Sequence, residues 1–345
     1  IVARLMAKED QLNAEQQATL DKLAGEYADE LANLGVRVSN LEKKVGNISW
    51  NGDARMRYIA SSSDKVADTY DGRIRLNVKG QVNDATYVQG QFVTNMWFKD
   101  GKADKDGNTT MAQIYANHNF GKNVAVRLGR QPIAFGNQGG WLYNGLEGYD
   151  GAQVAYTNGK LALTTGFGQL NAGDNGKDLK DKDFYFAKGA YDFGFAKLNA
   201  DYIADKDSKE GERIEIYGVG LNVPVQQFNV FGEYWNNTTA KDYDTAWNAG
   251  LSYGKADWKK AGTWDLTVAY NDVDTNVYFG GSGLNTDILK ALPNAKNLTY
   301  WNALANVTLQ KNVQLHAEYA FGADAEGTNG VDPDDSWTVS LNYKF

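Results

Sequence analysis

The sequence predicts an all-β membrane barrel of sixteen antiparallel strands behind an N-terminal α-helical segment, and three observations carry that expectation. From Gly46 onward, apolar and polar residues alternate with a period of two in segment after segment, which puts the apolar side chains on one face of each strand. The connections between these segments alternate between short turns and long charged loops, the sorting expected of strands that run up and down around a closed membrane sheet. Finally, the last ten residues, SWTVSLNYKF, alternate Trp337, Val339, Leu341, Tyr343 and Phe345 with Thr338, Ser340, Asn342 and Lys344. An apolar strand ending on an aromatic terminus is an adhesive open edge unless the sheet closes on itself.

Composition narrows the class. The 345 residues contain no run of eighteen apolar residues, so no transmembrane helix is expected. A mean hydropathy of −0.53 does not oppose a barrel, because half of each strand is polar. Thirty-seven Gly, four Pro and 12% aromatic residues suit long strands with aromatic girdles. The absence of cysteine excludes disulfides, thiol catalysis and zinc-thiolate sites. A net charge of −8 disfavours a nucleic-acid partner. The chain opens at Ile1 with neither an initiator Met nor a signal peptide, and reads as a processed or truncated piece.

In chain order, residues 1–8 (IVARLMAK) read as the end of an apolar helix belonging to a truncated N-terminal domain. Residues 9–45 turn to Gln, Glu, Ala, Leu and Lys, the makeup of a long helix. Their apolar ladder, Leu20, Leu23, Tyr27, Leu31, Leu34, Val38, Leu41, Val45, ends in heptad spacing. Leu31, Val38 and Val45 fall at a, Leu34 and Leu41 at d, with Arg37 at g and Glu42 at the following e. The hexad Arg37-Val38-Ser39-Asn40-Leu41-Glu42 resembles the Arg-h-x-x-h-Glu trimerisation motif of short parallel coiled coils. The expectation is a trimeric stalk, about 55 Å long if fully helical.

The barrel is expected over 46–345. Its first strand runs from Ile48 to Tyr58, with Ile48, Trp50, Ala54, Met56 and Tyr58 on one face and Asp53, Arg55 and Arg57 on the other. The second repeats this with Arg73, Arg75 and Lys79. Fourteen more follow, at 86–98, 109–120, 123–131, 149–157, 160–170, 183–192, 194–204, 212–224, 227–236, 244–254, 263–272, 298–310, 312–321 and 336–345. Sixteen strands leave an aqueous lumen. Parity turns Arg55, Arg57, Arg73, Arg75, Lys79 and Arg127 into it, where charged side chains at a constriction select solutes. Arg130 has the opposite parity and is expected inside only if a bulge turns it.

Enzyme chemistry finds little footing. His118 and His316 are the only histidines and fall on opposite faces. Neither has a Ser or Asp at a recognised catalytic spacing. Asp272-Val273-Asp274-Thr275-Asn276 begins like a calcium loop but lacks glycine at position six. No cofactor and no metal are expected.

Helix end, coiled coil and a barrel ending SLNYKF, in that order, resemble the OmpM-type porins of diderm Firmicutes. The stalk hexad, the junction Leu41-Glu42-Lys43-Lys44-Val45 and the terminal strand carry the resemblance. The terminal strand also resembles the C-terminal signal of outer-membrane barrels, which would make Trp337, Val339, Leu341, Tyr343 and Phe345 both a closing seam and an address for the barrel assembly machinery. The resemblance implies a homotrimer in the bacterial outer membrane among lipid and lipopolysaccharide, with its stalk in the periplasm. A missing S-layer-homology domain would hold peptidoglycan. It also implies that the third long loop, Ile133 to Glu147, folds into the barrel, with Glu147 and Asp150 facing the basic wall. Passive diffusion of small hydrophilic solutes is the expected function. A mainly structural tether and a specific channel for anionic solutes are the competing readings.

Overall fold

The computed structural model describes residues 46–63, 68–98, 109–137, 140–170, 182–206, 214–278, 283–286, 288–327 and 332–345, together with Gln16, Gln17, Thr19, Lys22 and Leu23. Contacts divide the chain into two units, Ile1–Ser49 and Trp50–Phe345. In the first, Gln16, Gln17, Thr19, Lys22 and Leu23 are helical. Residues 1–8 and the positions expected to form a stalk, Leu31, Leu34, Arg37, Val38, Leu41, Glu42 and Val45, lie outside the described residues.

Sixteen strands form one closed antiparallel barrel, each hydrogen-bonded to its neighbours in sequence and β1 paired with β16. They are β1 Ile48–Ser61, β2 Thr69–Asn83, β3 Thr86–Trp97, β4 Thr109–Phe120, β5 Val124–Ala134, β6 Asn144–Thr157, β7 Leu161–Leu170, β8 Asp183–Asp192, β9 Lys197–Asp205, β10 Glu215–Val225, β11 Phe228–Asn237, β12 Thr245–Gly254, β13 Trp264–Asp274, β14 Asn297–Gln310, β15 Val313–Glu326 and β16 Ser336–Lys344. The chain forms these strands because each carries one apolar and one polar row, which a barrel wall can serve only as outside and inside. The seam runs from Asp53↔Lys344 to Ser61↔Ser336. Gly52 and Phe345 extend it by a reciprocal pair of backbone hydrogen bonds of 2.8 and 3.1 Å.

β16 keeps the alternation read from its sequence. Ser336, Thr338 and Ser340 are buried toward the lumen, while Val339 and Phe345 are exposed on or beyond the outer face. Exposed aromatics gather at the two ends of that face: Trp50, Phe120, Phe193, Phe195, Trp264 and Phe345 toward the end carrying the β1 and β16 termini, and Tyr70, Trp97, Phe167, Trp247, Trp301 and Tyr319 toward the long loops. Such rings, amphipathic in Tyr and Trp, suit the two interfaces of a bilayer.

Strand ends depart from expectation where strands outgrow their alternating part. β2 begins at Thr69, β6 at Asn144, and β15 runs on to Glu326. The third long connection is therefore 135–143, and residues up to Glu147 belong to β6 rather than to the loop. The core lies inside the barrel and is built from that loop and the long connection after β13. Phe135, Trp141, Leu142 and Tyr143 pack in one cluster with Tyr149, Phe186, Ile203, Trp235 and Tyr300 of the wall, joined by Ile288, Leu289 and Leu292 of a short 3-10 helix, Ile288–Asn294. Each large apolar side chain so buried contributes about 1.5–3 kcal/mol.

Candidate functional site

β1 and β2 place Asp53, Arg55, Arg57, Asp71, Arg73 and Arg75 on one face, opposite the exposed Met56 and Ile74. The four guanidiniums are 12–19% exposed, so their face is the lumen. Two carboxylates are interleaved among them. Arg57 Nε donates to both oxygens of Asp71 at 2.9 and 3.2 Å, and its Nη2 also meets Asp71. Arg75 Nε donates to both oxygens of Asp53 at 2.8 and 2.9 Å. These charge-assisted forks are the strong kind of side-chain hydrogen bond.

Arg55 and Arg73 are left with longer contacts. Arg55 Nη2 lies 3.5 Å from Asp71 and Arg73 Nη2 lies 3.7 Å from Asp53. Arg55 Nη1 donates to the amide oxygen of Asn285 at 3.3 Å. Two carboxylates thus serve four guanidiniums, and the wall keeps a positive surplus. Asp53 and Asp71 share the parity of the arginines, so the sequence carries the signal for them. Alternation alone puts Asp53 on the lumen face, and Asp71 joins it because β2 begins at Thr69, ahead of the clearly alternating stretch that starts at Arg73.

Arg127 faces the lumen from β5 but stands apart from this cluster, with β3 and β4 between. Its guanidinium carbon is 4.6 Å from the centre of the Tyr115 ring, and Lys79 Nζ is 4.3 Å from that of Tyr87. The two rings meet edge to face at 6.4 Å. Cation and ring quadrupole attract at such distances, so the basic face continues from β2 to β5 as an alternation of cations and rings.

Buried carboxylates of the wall hold both inward loops. Asp201 of β9 accepts from the amide of Gly136 at 2.8 Å and Glu233 of β11 from that of Asn137 at 3.0 Å. Lys188 Nζ donates to the carbonyl of Ala134, and Trp141 Nε1 donates to the Tyr300 hydroxyl at 3.2 Å. Gly136 adopts φ +85°, and a Cβ there would lie 2.3 Å from Glu233 Oε2, so the turn requires glycine. On the other side, Glu318 of β15 accepts from the amides of Asn285 and Thr286 and from the Thr286 hydroxyl, all at 3.0–3.1 Å. Asn285 thereby reaches the arginine wall. His316 faces the lumen 2.8 Å from Asn306 Oδ1, whereas His118 sits on the outward row beside Thr86 at 2.8 Å.

Two expected positions are corrected. Arg130 is not turned inward, because the register shift between β5 and β6 falls after it, between Gln131 and Ile133. It stays opposite Ile114 and Asp150, on the row of exposed Leu128 and Val154. Asp150 shares that row and so does not face the basic wall; its oxygens accept from Arg130 Nε and Nη2 at 2.7 and 2.6 Å. Glu147 lies within β6 by its backbone, and its side chain is outside the described ones. The carboxylates that lie inside the barrel beyond the arginine wall include Asp201, Glu233 and Glu318, and those three hold loops.

A closed sixteen-stranded antiparallel barrel with inward loops and a charged lumen is the fold of bacterial porins. A triple mutant of the Rhodopseudomonas blastica porin superimposes with a TM-score of 0.58 at 12% identity, covering 86% of this chain and 100% of that one. OprB of Pseudomonas putida, in its high-pH structure, gives 0.64 at 10% identity, covering 90% and 96%. At these identities the likeness is one of fold. Comparison with protein families and with curated protein sequences gave no match.

Proposed function

We propose that the chain is an outer-membrane porin that passes small hydrophilic solutes by passive diffusion. The observation that carries the reading is the lumen itself: an arginine wall on β1 and β2 with a positive surplus, approached by Asn285 of an inward loop. The field of such a wall selects among polar solutes by charge while the loops set the bore. The porin-like fold and the two aromatic girdles support placement in the outer membrane, among lipid and lipopolysaccharide after delivery by the barrel assembly machinery.

In this reading the chain is a homotrimer. The outward Arg130–Asp150 pair supports it, because a charge pair facing hydrocarbon carries a desolvation cost that a neighbouring copy would relieve. Residues 9–45 form a periplasmic coiled-coil stalk through which the full-length protein tethers the membrane to peptidoglycan.

Planar-bilayer recording of the purified protein tests the central claim. Ohmic steps in groups of three are expected, and the substitutions Arg55→Ser, Arg57→Ser, Arg73→Ser and Arg75→Ser together should shift the reversal potential under a salt gradient toward cation preference. Absence of current would leave only the tether, and an unmoved reversal potential would remove the arginine wall as the selecting element.

A further inference from the structure

We infer that the lumen holds a binding subsite for a small soluble oxyanion, one carrying a carboxylate or phosphate group. The inference rests on the porin reading and names a class of solute for which the channel is more than a sieve. A cavity of about 280 Å³ opens against the arginine wall; Arg55, Arg73, Asn285, His316 and Lys344 are among the residues that line it, as is Asp53, whose two oxygens are engaged by Arg75.

The charge balance beside this cavity is uneven in a particular way. Arg57 engages Asp71, and Arg75 engages Asp53, through short forks. Arg55 and Arg73 meet those same carboxylates only at 3.5 and 3.7 Å, outside the ordinary range of a strong hydrogen bond. The Nε of each is buried and has no hydrogen-bond partner among the described residues. A buried guanidinium donor left unmade costs more than one satisfied by an anion. The two surplus cations are 12% and 17% exposed, which strengthens their pull relative to open water.

The rest of the cavity suits such a guest. Lys344 adds a further cation, held 3.9 Å from the centre of the Trp258 ring. Asn285 already receives a hydrogen bond from Arg55 on its oxygen. A planar, forked guanidinium matches the two oxygens of a carboxylate or phosphate. A wall that served only to set a field has no need for its surplus to converge where an amide, an imidazole and an indole also meet.

Calorimetric titration of the detergent-solubilised full chain with inorganic phosphate and, separately, with succinate tests this without relying on conduction. Saturable binding of at least one is expected. The double variant Arg55→Ser, Arg73→Ser should lower the affinity by about tenfold or more for each guanidinium lost. Arg55→Lys serves as a milder variant if the double fails to fold, and it too should weaken binding because the fork is gone. No binding of either anion, or binding that the variants leave unchanged, would overturn the subsite. Bilayer recording separates the two claims. Ohmic channels without calorimetric binding keep the porin and remove the subsite, whereas binding without any current keeps the subsite and removes the porin.

Discussion

Glu318 accepts hydrogen bonds from the main chain of Asn285 at 3.0 and 3.1 Å, so a wall carboxylate and a loop residue 33 positions earlier in the chain are fixed to one another inside the barrel. Removing that carboxylate leaves the amides of Asn285 and Thr286 without their acceptor. We expect Glu318→Ala to weaken the docking of this loop by about 1–3 kcal/mol and to raise the unit conductance. Glu318→Gln, which keeps one acceptor, should fall between. Single-channel recording decides; equal conductance in all three would mean that Glu318 does not hold the loop.

The third loop is held by a different lever. Gly136 sits at φ +85° with no space for a side chain beside Glu233. Alanine there combines backbone strain with a collision, at a cost of about 1–3 kcal/mol. Gly136→Ala should therefore loosen the loop and speed the entry of larger sugars. Liposome-swelling rates across a series of sugar sizes measure this, and an unchanged size limit would refute it.

Arg130 and Asp150 answer a question about assembly. If a neighbouring copy covers them, Arg130→Ala leaves Asp150 charged in a buried seam without its guanidinium. On gels of samples heated over a temperature series, the oligomer band should then be lost at a lower temperature. The double variant Arg130→Ala, Asp150→Ala removes both charges and should recover part of the loss. A double variant as weak as the single one would place the pair elsewhere than at a subunit seam.

Phe345 extends the closing seam beyond β16. Its ring lies against Gly52, where a Cβ would be 2.7 Å from Phe345 Cε2, and its main chain is bonded to that same residue. Deleting it removes both contacts at the seam together with the proposed address. Folded barrel recovered from outer membranes should drop, while refolding of purified protein into detergent should be affected less. Equal yields in cells would remove the address and leave the seam.

The strands were legible because a barrel wall has no choice but to alternate, and sixteen segments obeyed that rule closely enough to be counted. The arginines on β1 and β2 were legible for the same reason: parity alone places them. What lay inside the barrel was harder. Residues 273–297 read as a charged external loop, although Val277, Tyr278, Ile288, Leu289 and Leu292 bury themselves in the core; such apolar residues in a connection otherwise meant for water were the available signal. The partners of the loops, Asp201, Glu233 and Glu318, had the right parity, but parity does not say which lumen carboxylate meets a folded-in segment. Arg130 keeps the outward parity that its position gives it; the bulge invoked to turn it inward falls after it, between Gln131 and Ile133, and the place of a bulge leaves no trace in composition.

The seam between β1 and β16 has a consequence for how the molecule comes into being. Ser62 and Asp335, bonded beside that seam, are 273 residues apart in the chain. Until the final strand is made, β1 has no partner on its open side, and every intermediate exposes an unpaired edge. Contacts of such long sequence separation are slow to form, because chain entropy must be lost before they stabilise anything. The ribosome therefore releases a polypeptide that cannot yet be a barrel, and the time between synthesis and closure is when it most needs an escort against aggregation.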